Sequence, residues 1–409
     1  MVAAVSPPPA PPHKGEGRTA MPGKSSQQRA ALARLNTQLL TRFEQAGFDF
    51  ITPGIIQPAD VFLERAGEDI RQRTYVFTDP DGKELCLRPD LTVPTCRYHL
   101  ENAKSPDSKQ RYCYSGPAFR HQSGRTKARE FDQAGLEIFG EPNRAAADAE
   151  ILNLTIAALE AAGLEDYTVR LGDLGLFHAL LESIGMPRRW RRRLAHHFWR
   201  PVAFHQLLDL LTGARPRRQT SISPLVERIE AAGPDAAAEI VEDVLDERGL
   251  GLVPGRNIEQ IAARLAEKAA DRSQKRLDGS QAGLINRYLE IHGSLREVHG
   301  ALYALAGDLD DDSFTGAIAA LEERCKLFDL EQMKNGEAFF SAEFGRSLEY
   351  YTGFVFQIEV ADKGAEPLVI AGGGRYDNMI SDIGGGEPVP AVGCAIHTER
   401  LLAATGGMA

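Results

Sequence analysis

Strand-like runs occupy both ends of this chain and are missing from its middle, and that interruption limits the folds it can adopt. TYVFTD, ELCLRPD, KQRYCYSGPAFRH and AREFDQAGLEIFG are short runs with alternating or turn-bounded apolar residues. From about Leu176 to Lys334 the texture becomes Ala/Leu/Arg/Glu-rich, with apolar residues at helical spacing. Strands resume in EAFFSAEFGRSLEYYTGFVFQIEVAD, PLVIAGGGRYDNMI and AVGCAIHTERLLAA. Strand-rich segments on both sides of a helical block predict an α+β fold: one antiparallel sheet flanked by helices, interrupted by a helical insertion. The expected parts are a tail at 1–25, a core formed by 26–175 and 337–409, and an insertion at 176–336.

Local signals fill in this outline. The PPPAPP and KGEGR tail lacks apolar periodicity and is expected to be disordered. Leu32, Leu35, Leu39, Leu40 and Phe43 mark a helix from Gln27 to Ala46 that stops at Gly47. Pro80, Asp81 and Gly82 predict a hairpin turn, and QSGRTK reads as the flexible basic tip of a longer hairpin. The 409 residues are 43% hydrophobic and 25% charged, which suits a soluble chain with more than one folding unit. A net charge of -10 argues against general binding to nucleic acid or anionic membranes. No apolar run approaches the roughly 18 residues that span a bilayer, and no signal-peptide segment opens the chain, so a cytoplasmic protein is expected. Five scattered cysteines without a C-x-x-C pair predict reduced thiols and neither a disulfide framework nor a zinc site.

Several polar residues punctuate apolar strand-like segments: Asp90, Thr92, Gln133, Glu137, Tyr350 and Tyr351. Gln133 and Glu137, four apart on one strand, share a face, while Leu136 and Ile138 point the other way. Carboxylates, an amide and phenols suit a small molecule with cationic or donor groups at two ends, such as an amino acid with a basic side chain. A purely internal polar network accounts for the same residues equally well. Arg120, Arg346 and Arg400 compete as anion clamps, each with a structural ion pair as its plainer role. AGGGRYD has neither P-loop nor dinucleotide-binding spacing and reads as a tight strand-to-helix turn; no cofactor is indicated. PRRWRRRLAHHFWRP is read as a basic helix facing a protein partner in preference to nucleic acid. Its adjacent His196 and His197 should point apart, which disfavours a metal pair.

TPGIIQPADVFLERAG with LCLRPDLT, then YSGPAFRH to REFDQAGLEIFG, GRSLEYYTGFVF, GGGRYD and AVGCAIHTERLL resemble, in order and spacing, the class II catalytic core of histidyl-tRNA synthetases. The resemblance covers roughly Gln27 to Gly175 and Glu337 to Leu402. It implies that Asp90 and Thr92 hold a histidine ammonium, Gln133 its carboxylate region, and Glu137, Tyr350 and Tyr351 its imidazole, with Arg346 in the same site. The departures matter as much. Arg120 is followed by His121 and Gln122 where the synthetases place an acidic residue two positions on, and His397 stands where they place glycine. A nucleotide site formed by Arg120, Gln122, His397 and Arg400 is therefore expected to be vestigial. The sequence ends at Ala409, so no anticodon-binding domain is expected after the core. Such a core resembles the regulatory subunits of ATP phosphoribosyltransferase. That family implies a non-catalytic dimer in a hetero-oligomer with a short-form catalytic subunit, with L-histidine as allosteric effector of the first step of histidine biosynthesis. A truncated synthetase or amino-acid ligase paralogue is the competing reading, supported by the retained arginines.

Overall fold

A computed structural model describes residues 23–65, 72–122, 129–198, 200–215, 222–247, 257–273, 276–333, 336–345, 350–361 and 366–406. The N-terminal tail, the SGRTK part of the hairpin tip and Arg346 lie outside these residues. The chain divides into two compact units, one formed by Met1–Met186 with Tyr288–Ala409, the other by Pro187–Arg287.

The first unit is built on a sheet that, among the described residues, has nine strands in the order β1-β5-β6-β12-β11-β10-β7-β9-β8. These are β1 (Asp49–Phe50), β5 (Gln110–Phe119), β6 (Glu130–Phe139), β7 (Tyr167–Asp173), β8 (His292–Gly293), β9 (Gly336–Ser341), β10 (Phe354–Val360), β11 (Leu368–Arg375) and β12 (Ala391–His397). The C-terminal meander β10–β12 is inserted between β6 and β7, so the sheet closes only when residues from both ends of the chain meet. Pairing is antiparallel except for β1 with β5 and β7 with β9. A separate three-stranded sheet joins β2 (Ile56–Pro58), β4 (Glu84–Leu87) and β3 (Tyr75–Thr78). Its β3–β4 hairpin turns at Gly82, whose φ of 81° glycine adopts without steric cost.

Helices flank the main sheet. In α1 (Ser26–Gln45) the Ser25 side chain and Gln28 form a reciprocal capping box, and Leu32, Leu35, Leu39 and Phe43 are buried at helical spacing. Helix α2 (Ala59–Arg65) and α3 (Thr92–Asn102) follow, then α4 (Arg144–Ala161), which is capped by Asn143. Next is α5 (Leu174–Ser183). Beyond the second unit, α12 (Leu295–Ala306) and α13 (Ser313–Cys325) return to the first, where α13 packs on α4 and α5. The last two are α14 (Met379–Gly384) and α15 (Thr398–Ala404).

The second unit holds α6 (Arg188–His197), α7 (Pro201–Thr212), α8 (Ser223–Ala232), α9 (Ala237–Glu247), α10 (Ile258–Ser273) and most of α11 (Gly279–Leu289). Val226, Ile229, Ile240, Val241 and Leu265 form one core among α8, α9 and α10. In the basic helix α6, Trp190, Leu194 and Phe198 are buried and Arg188, Arg192 and His196 are exposed, so these aromatic rings are not available for stacking on bases. The rings of His196 and His197 meet edge to face at 5.0 Å; the expectation that they diverge is corrected. No described helix is long and apolar enough to cross a membrane. The five cysteines are free thiols, four of them buried.

Candidate ligand-binding site

One face of the main sheet is stripped of bulk along a strip crossing four strands. On β6, Gln133, Gly135 and Glu137 share a face; their partners are His397, Ala395 and Gly393 on β12, and Gly116, Tyr114 and Tyr112 on β5. Gly374 on β11 pairs with Gly393. The glycines make room for polar groups. A Cβ at position 393 would overlap the Glu137 carboxylate, and at 135 it would sit 2.5 Å from the Tyr114 hydroxyl. At Gly116 it would come within 2.6 Å of the Arg88 guanidinium. The AGGG run is thus the interior of β11, not a strand-to-helix turn. Glycine carries no side chain from which a strand period could be read, and an added Cβ at 373 would meet the Gly393 carbonyl and the Phe356 ring.

Glu137 lies fully buried at one end of this strip. Its Oε1 accepts from the Tyr114 hydroxyl at 2.9 Å and its Oε2 from the Tyr376 hydroxyl. Burial pushes its carboxyl up to about 7; hydrogen bonds from Tyr376, Tyr114 and Thr92 oppose that, and the Asp90 charge adds to it. Burial also raises the hydroxyls of Tyr114, Tyr350 and Tyr376 well above the usual phenol range, so they remain protonated donors. Tyr350 lies 4.7 Å from Tyr351 and 5.7 Å from Tyr376 between ring centroids, giving the Glu137 end an aromatic wall.

Toward Gln133 the chemistry is unfinished. Asp90 is buried; its Oδ1 accepts from the Val93 amide at 3.2 Å, while its Oδ2 has no partner. Gln133 is also buried and its Oε1 has none. Burial holds the Asp90 carboxyl above its ordinary value, with the Arg120 charge pulling the other way. An unsatisfied buried acceptor costs about 1–3 kcal/mol. Two buried acceptors without partners want a ligand that brings donors, and an ammonium is the simplest.

The structure brings together Asp90, Thr92, Glu137, Tyr350 and Tyr351 and leaves Gln133 on the same face. Only Gln133 and Glu137 lie on strands: Asp90 is in the turn before α3, Thr92 is the first residue of α3, and the two tyrosines precede β10. Beyond Gln133, His397 lies across from it on β12, with its ring tilted 37° to Phe131 at 5.0 Å. The Arg120 guanidinium lies 5.2 Å from the same Phe131 ring, and its Nε donates to the Pro89 carbonyl at 2.7 Å. Arg400 Nη1 donates to the Val369 carbonyl at 2.8 Å. Gln122 is half-buried two residues past Arg120. Among the described residues no cluster of three potential metal ligands occurs.

The histidyl-tRNA synthetase family model matches residues 25–220 and 236–401. An ATP phosphoribosyltransferase regulatory subunit from Allorhizobium ampelinum is 35% identical over 374 residues, 89% of this chain and 95% of that one. One from Brucella anthropi is 35% identical over 350 residues, covering 85% and 90%. The chain belongs to the ATP phosphoribosyltransferase regulatory subunits. It is accordingly a regulatory, non-catalytic member of the synthetase-like family. A Bacillus halodurans structure described as an ATP phosphoribosyltransferase regulatory subunit/histidyl-tRNA synthetase superposes with a TM-score of 0.65 at 20% identity, covering 97% of this chain and 84% of that one. A histidyl-tRNA synthetase from Nostoc gives 0.59 at 17%, covering 97% and 76%. Both establish the class II synthetase-like fold.

For this regulatory subunit, sequence reasoning missed Tyr114 and Tyr376, the two donors that hold Glu137. Tyr114 carried a usable signal: its alternation with Tyr112 puts both on the face that hairpin register sets against Gly135 and Glu137. Tyr376 carried none beyond following GGGR.

Proposed function

We propose that this chain is the subunit through which free L-histidine inhibits an ATP phosphoribosyltransferase, and that a short-form catalytic subunit requires it for activity in the first step of histidine biosynthesis. The observation that carries this reading is the pair of unpartnered buried acceptors, Asp90 Oδ2, whose charge is felt at Glu137, and Gln133 Oε1, on the sheet face that Glu137 shares. Histidine supplies the missing donors: its ammonium serves Asp90 and Thr92 and, because the unpartnered Gln133 Oε1 is an acceptor, Gln133 as well, in place of the carboxylate contact that the resemblance implied; its imidazole N–H serves Glu137 beside Tyr350 and Tyr351. Arg346 is assigned to the same site by the sequence resemblance. The nucleotide half reads as vestigial: His397 stands where the resemblance places a glycine, its ring and the Arg120 guanidinium lie against Phe131, and Arg400 bonds a main-chain carbonyl.

Inhibition follows from linkage: histidine shifts the assembly only as far as its affinity differs between active and inactive arrangements. Self-association has its own support in the small sheet. Register puts Ile56, Tyr75 and Leu87 in one row and Pro58, Phe77 and Leu85 in the next, all on one face and none of them buried. Exposed apolar patches of this kind mark protein contacts, and a regulatory dimer within a hetero-oligomer in the cytoplasm fits it.

The test is reconstitution. Phosphoribosyl transfer by a short-form catalytic subunit is measured with and without this chain, and with increasing histidine. Activity should require the chain and fall as histidine is added, while histidine-dependent ATP–pyrophosphate exchange stays at background. Exchange at synthetase-like rates would favour the ligase reading, and activity indifferent to histidine would end the feedback assignment.

A further inference from the structure

Outside the pocket, four buried charges of the first unit form one continuous chain of contacts. Arg324 on α13 donates through Nε to Asp148 on α4 at 2.7 Å and through Nη1 to Asp173 at the end of β7 at 2.6 Å. The other Asp148 oxygen pairs with Arg375 Nη2 at 2.7 Å. Arg375 Nη1 continues to Asp377 at 2.8 Å, which also pairs with Arg144 at 3.1 Å. Arg324, Asp148, Asp173 and Arg375 are all buried. A planar guanidinium that bridges two carboxylates from different elements fixes their spacing as a flexible ammonium cannot.

Both routes leading from Arg324 end at the pocket. Along one, Asp148 holds Arg375, whose next residue is Tyr376, the donor to Glu137 Oε2. Along the other, Asp173 is followed by Leu174, whose amide donates to the Gly353 carbonyl at 3.0 Å, immediately after the Tyr350–Thr352 segment. The two routes rejoin: the Thr352 amide donates to the Arg375 carbonyl at 2.8 Å, and the Asp377 amide to the Thr352 hydroxyl at 3.1 Å. A stabilising ion cluster could have formed anywhere in the core. This one is anchored on the backbone next to Tyr376 and just after the Tyr350–Tyr351 pair, three of the four tyrosines around Glu137.

We infer that Arg324 is a positioning residue for the pocket, reaching Tyr376 through Asp148 and Arg375 and the Tyr350–Tyr351 segment through Asp173 and Gly353, so that ligand occupancy and the seating of α13 are coupled. The inference rests on the pocket being a histidine site. Reciprocity then requires that whatever loosens α13 weakens histidine binding and that histidine tightens α13. The helix is one place where a partner or effector could feel the pocket fill.

The experiment measures histidine affinity by calorimetry, Tm, and amide hydrogen exchange for the native chain, Arg324→Lys and Arg324→Met. Arg324→Lys keeps a charge but reaches one acid and should bind histidine roughly three- to tenfold more weakly; Arg324→Met should lose more than tenfold. In the native chain, saturating histidine should slow exchange in α13 more than in α12. If Arg324→Met does not fold, Arg324→Lys and the native exchange pattern decide. A lower Tm with histidine affinity unchanged within twofold, or equal slowing in both helices, would reduce Arg324 to a structural ion pair and overturn the inference alone. Failure of the native chain to bind histidine would remove the histidine reading and the inference with it.

Discussion

The two ends of this strip share one sheet face and differ in whether their polar groups are satisfied from within. Around Asp90 and Gln133, buried acceptors stand without partners, and Glu137 is held ready by two tyrosine hydroxyls. Around His397, a ring packs on a ring and the arginines donate to the Pro89 and Val369 carbonyls. The first half stores a cost that a ligand with donors would relieve; the second has largely paired its groups internally. The same β6–β12 pairing supports both, so one position, 397, can distinguish them without altering the fold.

The harshest way to break the ligand half is Gly393→Ala. Its methyl group would occupy the place of the buried Glu137 carboxylate, which is held by the Tyr114 and Tyr376 hydroxyls. Overpacking of this kind costs about 1–3 kcal/mol of stability, and the displaced carboxylate should lower histidine affinity by roughly 100-fold or more. Denaturant unfolding and calorimetry on the same sample check both effects. Undiminished histidine binding would place the ligand elsewhere.

Glu137→Gln is gentler, because it keeps the shape and removes the charge. Losing a charge-assisted contact of about 1.5–3 kcal/mol predicts roughly 10- to 150-fold weaker binding and blunted inhibition of the reconstituted complex. Unchanged inhibitory potency would show that Glu137 does not face the effector.

The same carboxyl gives a pH signature. Its value rises from 4.5 to about 7 on folding, mainly through burial, so between those pH values the folded chain binds more protons than the unfolded one. Stability contributed by that proton is present at low pH and is lost as pH rises through the window, by an amount of order 3 kcal/mol at most. Histidine binding should show the opposite trend, tightening as pH rises through about 7 and the carboxylate becomes available to an N–H donor. Glu137→Gln should flatten the stability profile and leave in the binding profile only the titration of the ligand's own imidazole; binding profiles that coincide for the native chain and Glu137→Gln would show that Glu137 does not titrate in the site.

How much of this was readable beforehand depends on the range of the contact. The shared face of Gln133 and Glu137 followed from period two, and the Pro80–Gly82 hairpin followed from turn chemistry, because both are fixed within a few residues. The glycine run misled because strand periodicity is written in side chains that glycine lacks. Asp90, Thr92 and the tyrosine pair were recognised as polar residues in apolar surroundings, yet placed on strands when a turn, a helix start and a loop carry them. Arg324 with Asp148 was beyond reach: 176 positions separate them, and nothing local marks either as the other's partner.

The smallest expected effect sharpens the other half of the comparison. His397→Gly removes a ring contact with Phe131 worth about 0.5–1.5 kcal/mol and adds the flexibility of a strand glycine, so a loss of roughly 1–2 kcal/mol in stability is expected. Histidine affinity should change less than about threefold, since His397 is not among the groups assigned to the ligand. ATP binding, followed by calorimetry, should be absent in the native chain and at best weak in the variant. Clearing the ring leaves the Arg120 and Arg400 bonds to main-chain carbonyls intact, and these keep one N–H of each guanidinium engaged away from a phosphate. Tight binding of ATP by the native chain would mean that the ring and the nucleotide coexist, and that the two ends of the strip differ in occupancy but not in competence.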